Sequence, residues 1–206
     1  MARRHPLDDA AVERAAADHD CPPDRLHALL EAFDEITSPR LDNLVENTET
    51  EYRPDRTVVD RGPERLTLAV DTATFRLPFM QLDWDEHTTA MGDDVDREAA
   101  RSTLQDAVVD AHRTHGVERG LDPETAGMLP LTTWTPRIYD LEAGGMSRQE
   151  ARAHVLRDGG LTQKQVRDRM DLPSTSAAKN ALHRGDRKVR TARRLVDAVD
   201  RDDEIA

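Results

Sequence analysis

A run of short polar and basic side chains begins at Ser174 and has the chemistry needed to bind a nucleic acid. Asn180 carries the donor and acceptor pair that matches an adenine edge, and Lys179 has the reach to bind guanine. The basic residues that follow suit contacts to backbone phosphates, which fix a protein's register on a duplex. On a helix, the outward positions would be Ser174, Thr175, Ser176, Lys179, Asn180, His183 and Arg184, followed by the phosphate-binding set Arg187, Lys188, Arg190, Arg193 and Arg194.

The positive charge of the chain is concentrated in one block. The 206 residues include 41 acidic and 29 basic ones, for a formal net charge of −12. Residues 147–196 nevertheless carry 13 basic and 5 acidic side chains, whereas residues 1–146 carry 31 acidic side chains and 15 arginines. A basic block inside so acidic a chain indicates a surface that meets something negative.

Two short helices joined by a three-residue turn are predicted to position these side chains. Thr162 and Gln165 form a capping box at the start of the first helix, and Asp171–Pro173 is the turn. Ser174 caps the second helix, which is expected to end at Gly185-Asp186. This geometry lays one helix across the backbone of a duplex and places the next in the major groove. The side chains expected to face inward are Leu161, Val166, Met170, Leu172, Ala177 and Ala181.

Three further helices are predicted around this pair. Thr135-Pro136 begins one that Gly144-Gly145 ends, and a capping box at 147–150 begins another that Gly159-Gly160 ends. A last helix is predicted over residues 189–199. Its inward side chains would be Val189, Ala192, Leu195, Val196 and Val199. The carboxy-terminal part is therefore expected to be an all-α domain of five helices.

Residues 147–187 resemble a known class of DNA-binding module. A helix that ends in arginine and glycine precedes Leu161-Thr162-Gln163-Lys164, as in the helix-turn-helix shared by region four of sigma factors, LuxR-type regulators and related archaeal regulators. The resemblance implies that Thr162 and Gln163 face a backbone phosphate. It also implies that the segment 174–180 lies on the recognition helix.

Three positions of this segment depart from the family pattern. Arg167 stands where a small alanine lies at the helix crossing, and Ala177 replaces a β-branched residue. Asp171 stands where the family has glycine in a left-handed turn, a conformation that aspartate adopts less readily. A helical domain with a purely structural role is the alternative for this segment.

The amino-terminal part mixes two periodicities, which makes the predicted fold class α+β. Helices are expected, from apolar residues at helical spacing, over residues 7–19, 23–36 and 95–115. Alternation at Leu66–Val70 and Phe75–Phe79 predicts a hairpin that turns at Asp71–Ala73, with a third strand at Thr57–Val59. Leu121–Thr133 is predicted to be an irregular linker. The expected domains are 1–130 and 131–200, with an acidic tail at 201–206.

The composition resembles that of haloarchaeal proteins. The chain contains 26 arginines but 3 lysines, and acidic residues are in excess. Carboxylates hold water and cations, which favours such a surface in a salt-rich cytosol, although a GC-rich bacterial gene would also favour arginine. The chain has no apolar run of about 18 residues, so no membrane span is expected. Acidic residues instead of an apolar stretch follow the basic residues at positions 3–4, so no signal peptide is expected. The single cysteine, Cys21, excludes an internal disulfide. A soluble cytoplasmic protein is expected.

Other clusters of reactive residues do not match a known site pattern. His19, Cys21 and His27 lack the spacing and the fourth ligand of a zinc finger. His112 and His115 lie one turn apart and could bind a metal between subunits, but exposed or helix-capping histidines are the expectation. The sequence contains no phosphate-binding glycine loop and no nucleophile elbow. We therefore expect no catalytic residues, no metal and no cofactor.

These features together predict a sequence-specific DNA-binding transcriptional regulator from a halophilic archaeon, and not an enzyme. Its partners would be double-stranded DNA and a second copy of the chain, since one short recognition helix gives limited specificity. The helices at 7–36 and 95–115 are the candidate dimer interfaces. The alternative is an adaptor whose basic helical domain binds an acidic protein. A third possibility is a small enzyme with a pocket formed by residues 52–134.

Overall fold

The computed structural model describes residues 5–41, 57–89, 96–117 and 128–203. They divide into two compact units, one that ends at Trp134 and one that begins at Thr135. The first combines helices with a small antiparallel sheet and the second is helical, in agreement with the predicted α+β class. The predicted domain boundary at 130–131 moves to Trp134, because a strand runs across it. Among the described helices, none has both the length and the apolar composition of a membrane span.

The amino-terminal unit is built mainly from three amphipathic helices. Among the described residues, its helices are α1 (Asp9–Asp18), α2 (Pro23–Thr37), α3 (Thr72–Arg76), α4 (Trp84–Thr89) and α5 (Arg97–Val117), with 3₁₀ turns at Ser38–Arg40 and Pro78–Met80. The helices predicted over 7–19, 23–36 and 95–115 are confirmed as α1, α2 and α5. Ala11 and Ala15 of α1 are buried, as are Ala107 and Ala111 of α5, and such small residues let α1 pack closely along α5.

A three-stranded antiparallel sheet completes this unit. Its strands are β1 (Thr57–Arg61), β2 (Arg65–Asp71) and β3 (Met128–Trp134), in the order β1-β2-β3. The strand predicted at Thr57–Val59 is confirmed. The predicted linker over Leu121–Thr133 is wrong where it can be compared, because its second half belongs to β3; residues 121–127 lie outside the described residues. Pro130 signals a loop in the sequence but is tolerated here because β3 is an edge strand.

The second strand of the predicted hairpin, Phe75–Phe79, is wrong. The Asp71 carboxylate accepts a hydrogen bond from the Thr74 amide at 2.8 Å and so caps α3 directly after β2. Phe75 and Phe79 lie four residues apart, so their spacing fits a helical side as well as an alternating strand. Both pack against Phe33, with ring centroids 5.4 and 5.0 Å away. Phe75 and Phe79 therefore join the aromatic core from short helical segments and not from a strand.

The carboxy-terminal unit contains four helices over residues 135–203, all of which the structure describes. They are α6 (Pro136–Ala143), α7 (Arg148–Asp158), α8 (Gln163–Arg169) and α9 (Thr175–Asp203). Both predicted capping boxes are confirmed; in the first, the Ser147 amide donates to Glu150 Oε2 at 3.1 Å and Ser147 Oγ accepts from the Glu150 amide at 3.3 Å. Gly145 and Gly160, each with a φ of +91°, follow the ends of α6 and α7.

The largest correction concerns α9, which runs without a break from Thr175 to Asp203. The predicted break at Gly185-Asp186 and the separate helix over 189–199 are therefore wrong. Gly185 is buried, and a Cβ there would lie 3.7 Å from both the Glu150 carbonyl oxygen and the Met146 sulfur. Gly185 thus lies inside a continuous helix instead of ending it, and a Cβ at this position would make only ordinary van der Waals contacts.

The predicted inward side of the last helix is also wrong in its described part. Val189 is half-buried, Ala192 is exposed and Leu195 is 64% exposed. The side chains of Val196 and Val199 lie outside the described residues. The acidic tail predicted at 201–206 begins within α9, whose backbone continues to Asp203. The part of α9 that follows Gly185 therefore presents its basic residues from a regular helix.

Gly185→Ala is expected to stabilise the protein by about 0.5–1 kcal/mol, because glycine inside a helix is less favourable than alanine by that amount. The added methyl group would make only ordinary contacts at 3.7 Å. Urea unfolding of the full chain measures the change. The matched control is Gly145→Ala, which should destabilise because alanine resists a φ of +91°. Equal losses for the two variants would contradict a helix that continues through Gly185.

Candidate nucleic-acid interface

An apolar cluster fixes α8 and α9 against α7. The buried members are Ala153, Leu156, Val166, Met170, Leu172, Ala178, Ala181 and Leu182. Leu161 and Ala177 pack against the cluster and are partly buried, so all six residues predicted to face inward belong to it or border it. Sequence reasoning missed Ala178 and Leu182, although Ala178, Ala181 and Leu182 have the three- and four-residue spacing of one helical side.

The turn between α8 and α9 contains a left-handed residue at the expected position. Asp171 has a φ of +53°. After α8 ends, the Leu172 amide donates to the Arg167 carbonyl at 3.0 Å and closes the turn. Aspartate is one of the few residues other than glycine that visit this conformation, because its short side chain can hydrogen-bond locally. The backbone at Asp171 thus adopts the conformation for which the family pattern uses glycine.

Thr162 and Ser174, whose hydroxyls are predicted to contact DNA, also cap the starts of α8 and α9. Thr162 Oγ1 donates to Gln165 Oε1 at 2.8 Å and accepts from the Gln165 amide at 3.4 Å. Ser174 Oγ accepts from the Ala177 amide at 3.1 Å. Thr162, Gln163 and Ser174 are all exposed. Since one accepted bond does not consume a hydroxyl proton, Ser174 can donate to an outside partner, whereas Thr162 uses its proton within the capping box.

One side of α9 presents predicted recognition residues and phosphate-binding residues together. The exposed members of this row, called the recognition row below, are Ser176, Asn180, His183, Arg187 and Arg190. They recur at intervals of three and four residues, which places them on one helical side. Thr175, Lys179 and Arg184 are exposed beside the row, and Arg193 and Arg194 are exposed beyond it. Because α9 continues through Gly185, the row extends without interruption over about 21 Å at 1.5 Å per residue.

Glu150 of α7 binds two of the cations assigned to DNA contact. Its carboxylate is 6% exposed, with Oε1 3.1 Å from Arg184 Nε and Oε2 2.7 Å from Lys188 Nζ. Lys188 also donates to the Gly145 carbonyl at 2.7 Å. Burial raises the pKa of Glu150, but the hydrogen bonds from Lys188 and the Ser147 amide outweigh it and hold this pKa below its ordinary value. Arg184 and Lys188 therefore offer less charge to an outside anion than Arg187 and Arg190 do.

Asp186 is neutralised from within the unit. It is the single acidic residue between Thr175 and Val196. The Arg157 guanidinium donates to Asp186 Oδ2 at 2.8 Å and to Oδ1 at 2.6 Å, a two-pronged pair that holds the pKa of Asp186 below its ordinary value. Because Asp186 is paired in this way, the stretch of α9 from Thr175 to Leu195 keeps a strong excess of positive charge.

The Arg157–Asp186 pair predicts a pH dependence of stability. A carboxylate whose pKa is lower in the folded than in the unfolded chain stabilises the fold above its unfolded pKa, about 3.9, and this stabilisation is lost as the pH falls toward the folded pKa. Asp186→Asn is therefore expected to be less stable than the wild type at neutral pH, with a gap that closes below about pH 4. Thermal unfolding from neutral to acid pH measures the gap. A gap that stays constant or widens in acid would contradict the pairing.

The histidines considered as metal ligands on α5 face the core of the amino-terminal unit. His112 is buried, its Nδ1 accepts from the Thr132 amide at 3.2 Å, and burial together with nearby histidines lowers its pKa to about 3. His115 is fully buried, with Nδ1 3.3 Å from Asp8 Oδ2. The expectation that these histidines are exposed or cap a helix is therefore wrong. With so low a pKa, His112 is neutral in ordinary cellular conditions and serves as a hydrogen-bond acceptor in the core.

No family model, curated protein or solved structure matches this chain. The resemblance to helix-turn-helix regulators accordingly depends on residues 147–187 alone. A function for the α8–α9 surface must follow from its own geometry and charge.

Proposed function

We propose that the carboxy-terminal unit binds double-stranded DNA and that the protein is a sequence-specific transcriptional regulator. The observation that carries the proposal is the recognition row, in which short polar side chains are followed on the same side of one helix by arginines. A helix fits the major groove, where polar side chains read base edges and basic ones bind the flanking phosphates. The apolar cluster beneath α8 and α9 supplies a rigid support for that helix.

Exposure and existing ion pairs rank the proposed DNA-binding residues, which the sequence alone does not do. Lys179 and Asn180 are the proposed base-reading residues, because both are exposed near the start of α9. Arg187 and Arg190 are the main proposed phosphate ligands. Arg184 and Lys188, which Glu150 already binds, contribute less.

The salt-rich solvent expected for this protein changes which contacts contribute most of the free energy of DNA binding. In molar salt the Debye length falls to about 3 Å, so attraction between arginines and phosphates is largely screened. Direct hydrogen bonds from the start of α9, and the use of two half-sites by a homodimer, would then carry more of the affinity than usual. Half-sites of such a dimer lie about 34–36 Å apart, one turn of the duplex.

The dimer interface proposed from the sequence needs a surface other than the apolar sides of its helices. Those sides, on the helices at 7–36 and 95–115, are buried within the amino-terminal unit. A homodimer would use the outer sides of these helices or another surface. Analytical ultracentrifugation in concentrated potassium chloride gives the oligomeric state directly.

A mobility-shift experiment with chromosomal restriction fragments in concentrated potassium chloride tests the proposed function. We expect discrete complexes with a few fragments that persist in excess random-sequence competitor. Binding to every fragment alike would remove the sequence-specific regulator and leave a general DNA-binding protein. The adaptor alternative predicts no complex with any fragment but capture of the chain by an acidic polypeptide.

A further inference from the structure

We propose a transition-metal site formed by His5, Asp9 and His27 in the amino-terminal unit. One ligand atom from each of these residues lies within 4.8 Å of the other two. Two imidazoles and one carboxylate form a donor set that suits borderline divalent ions such as Zn²⁺, Co²⁺ and Ni²⁺. Three protein ligands leave at least one coordination position for water.

The core holds the backbones of both histidines in place. His5 precedes α1, Asp9 is the first residue of α1, and His27 lies near the start of α2. Leu7 is fully buried two residues after His5, and Leu26 is fully buried next to His27. The three donors are therefore brought together by packing of α1 on α2.

The two imidazoles meet nitrogen to nitrogen, at a point that either a shared proton or a metal ion can occupy. His5 Nε2 lies 2.6 Å from His27 Nδ1, while the ring centroids are 4.9 Å apart with 21° between the ring planes. Two ring nitrogens that both carry lone pairs cannot approach so closely unless a proton or a metal ion lies between them. The Asp9 carboxylate adds a negative charge that favours a cation at the same place.

Replacing the proton by a metal ion requires the three ligand atoms to rearrange. Bonds from Zn²⁺ to imidazole nitrogen are about 2.0–2.1 Å long, so a tetrahedral ion would hold the two nitrogens about 3.3 Å apart. Binding would therefore move the two nitrogens apart from 2.6 Å and bring the Asp9 oxygen in from a distance of up to 4.8 Å, and the proton would pass to solvent. His5 is 3% exposed, whereas Asp9 and His27 are half-buried, so an ion can enter from the solvent side.

The neighbouring carboxylate has other partners. Asp8 Oδ1 accepts from Arg65 Nη1 at 2.9 Å, and its Oδ2 lies 3.3 Å from His115 Nδ1. These contacts direct Asp8 away from the proposed site and leave Asp9 as the carboxylate ligand.

The test is a metal titration of the full chain after treatment with a chelator and dialysis. Calorimetry with Zn²⁺ is expected to show one ion bound per chain. Bound Co²⁺ is expected to give the visible absorption bands of a site with a low coordination number. His5→Gln, His27→Gln and Asp9→Asn should each weaken Zn²⁺ binding by more than the roughly 10- to 100-fold that loss of an outer partner of a metal ligand costs. Circular dichroism verifies that each variant is folded.

His19→Gln is the matched control. His19 follows the end of α1, and its Nε2 lies 2.6 Å from Asp110 Oδ2, so this variant removes a histidine from the same unit without touching the proposed site. Its Zn²⁺ affinity should equal that of the wild type. The site is overturned if the wild type binds no Zn²⁺ and gives no Co²⁺ bands, or if His27→Gln and His19→Gln bind Zn²⁺ equally well. If the ligand variants fail to fold, the Co²⁺ spectrum of the wild type decides.

Discussion

Asn180→Ala is expected to lower the affinity of the full chain for its preferred duplex by about 5- to 150-fold and to relax the preference at one base pair. A two-pronged bond from asparagine to adenine contributes about 1–3 kcal/mol of discrimination, which corresponds to this range. Asn180 is exposed near the start of α9, within the recognition row. Fluorescence anisotropy with the preferred duplex and its single-base variants, at one fixed potassium chloride concentration, measures both effects.

Arg187→Ala provides a contrast on the same helix, because a phosphate contact weakens all sequences alike. We expect its affinity loss to be uniform across duplexes and the slope of log affinity against log salt to fall by about 1. Arg25→Ala is the control for net charge, since Arg25 is exposed on α2 and its loss changes the total charge by the same amount. Identical losses for Asn180→Ala, Arg187→Ala and Arg25→Ala would show that net charge, and not the recognition row, governs binding.

Leu182→Ala is expected to lower the free energy of unfolding by about 2–5 kcal/mol, the usual effect of truncating a buried leucine. Leu182 is 3% exposed and belongs to the apolar cluster that α7, α8 and α9 share. Its truncation leaves a cavity directly beneath the start of α9. Urea unfolding followed by circular dichroism, with the wild type in parallel, measures the loss.

Leu195→Ala is the matched control for this prediction, because it makes the same chemical change on the same helix. Leu195 is 64% exposed, and surface substitutions usually change stability by no more than about 0.5 kcal/mol. The sequence alone predicts the opposite for Leu195, as an inward residue of a separate helix. A large loss for Leu195→Ala together with a small one for Leu182→Ala would contradict the described packing of α9.

Local signals in the sequence predicted most of the carboxy-terminal unit. The capping boxes at Ser147 and Thr162 and the cap at Ser174 each involve residues within three positions of one another, so the sequence contains the whole interaction. The left-handed backbone at Asp171 agrees with the resemblance, in which glycine occupies this position of the turn, although aspartate adopts this conformation less readily. The inward set from Leu161 to Ala181 followed from helical spacing.

Features that depend on distant residues were not predictable in this way. Gly185 is a helix breaker by local rules, but the neighbours against which it is buried within α9, Met146 and Glu150, lie more than thirty residues away. The sequence does not predict strand β3, because Pro130 indicates a loop. Only the pairing of this segment with β2 shows that it is a strand. The alternation at Phe75–Phe79 fits two secondary structures equally, and contact with Phe33 decides between them.

The proposed metal site also depends on residues that are distant in sequence, so local spacing does not predict it. His19, Cys21 and His27 are close in sequence, and the spacing rules that were applied to them concern ligands on one continuous segment. Packing of α1 on α2 instead brings His27 to His5, with the His5 and Asp9 ligands outside the segment considered. The expectation of no metal therefore depended on chain spacing, whereas the proposal depends on proximity in the fold.

Selection of duplexes from a random-sequence pool by the full chain in concentrated potassium chloride tests the central claim most directly. The wild type is expected to enrich a defined motif, and a variant with Asn180 and Arg187 both replaced by alanine is expected to lose it while remaining folded. A pool that shows no enrichment by the wild type, or the same motif enriched by the double variant, would contradict the assignment of α9 as a DNA-recognition helix.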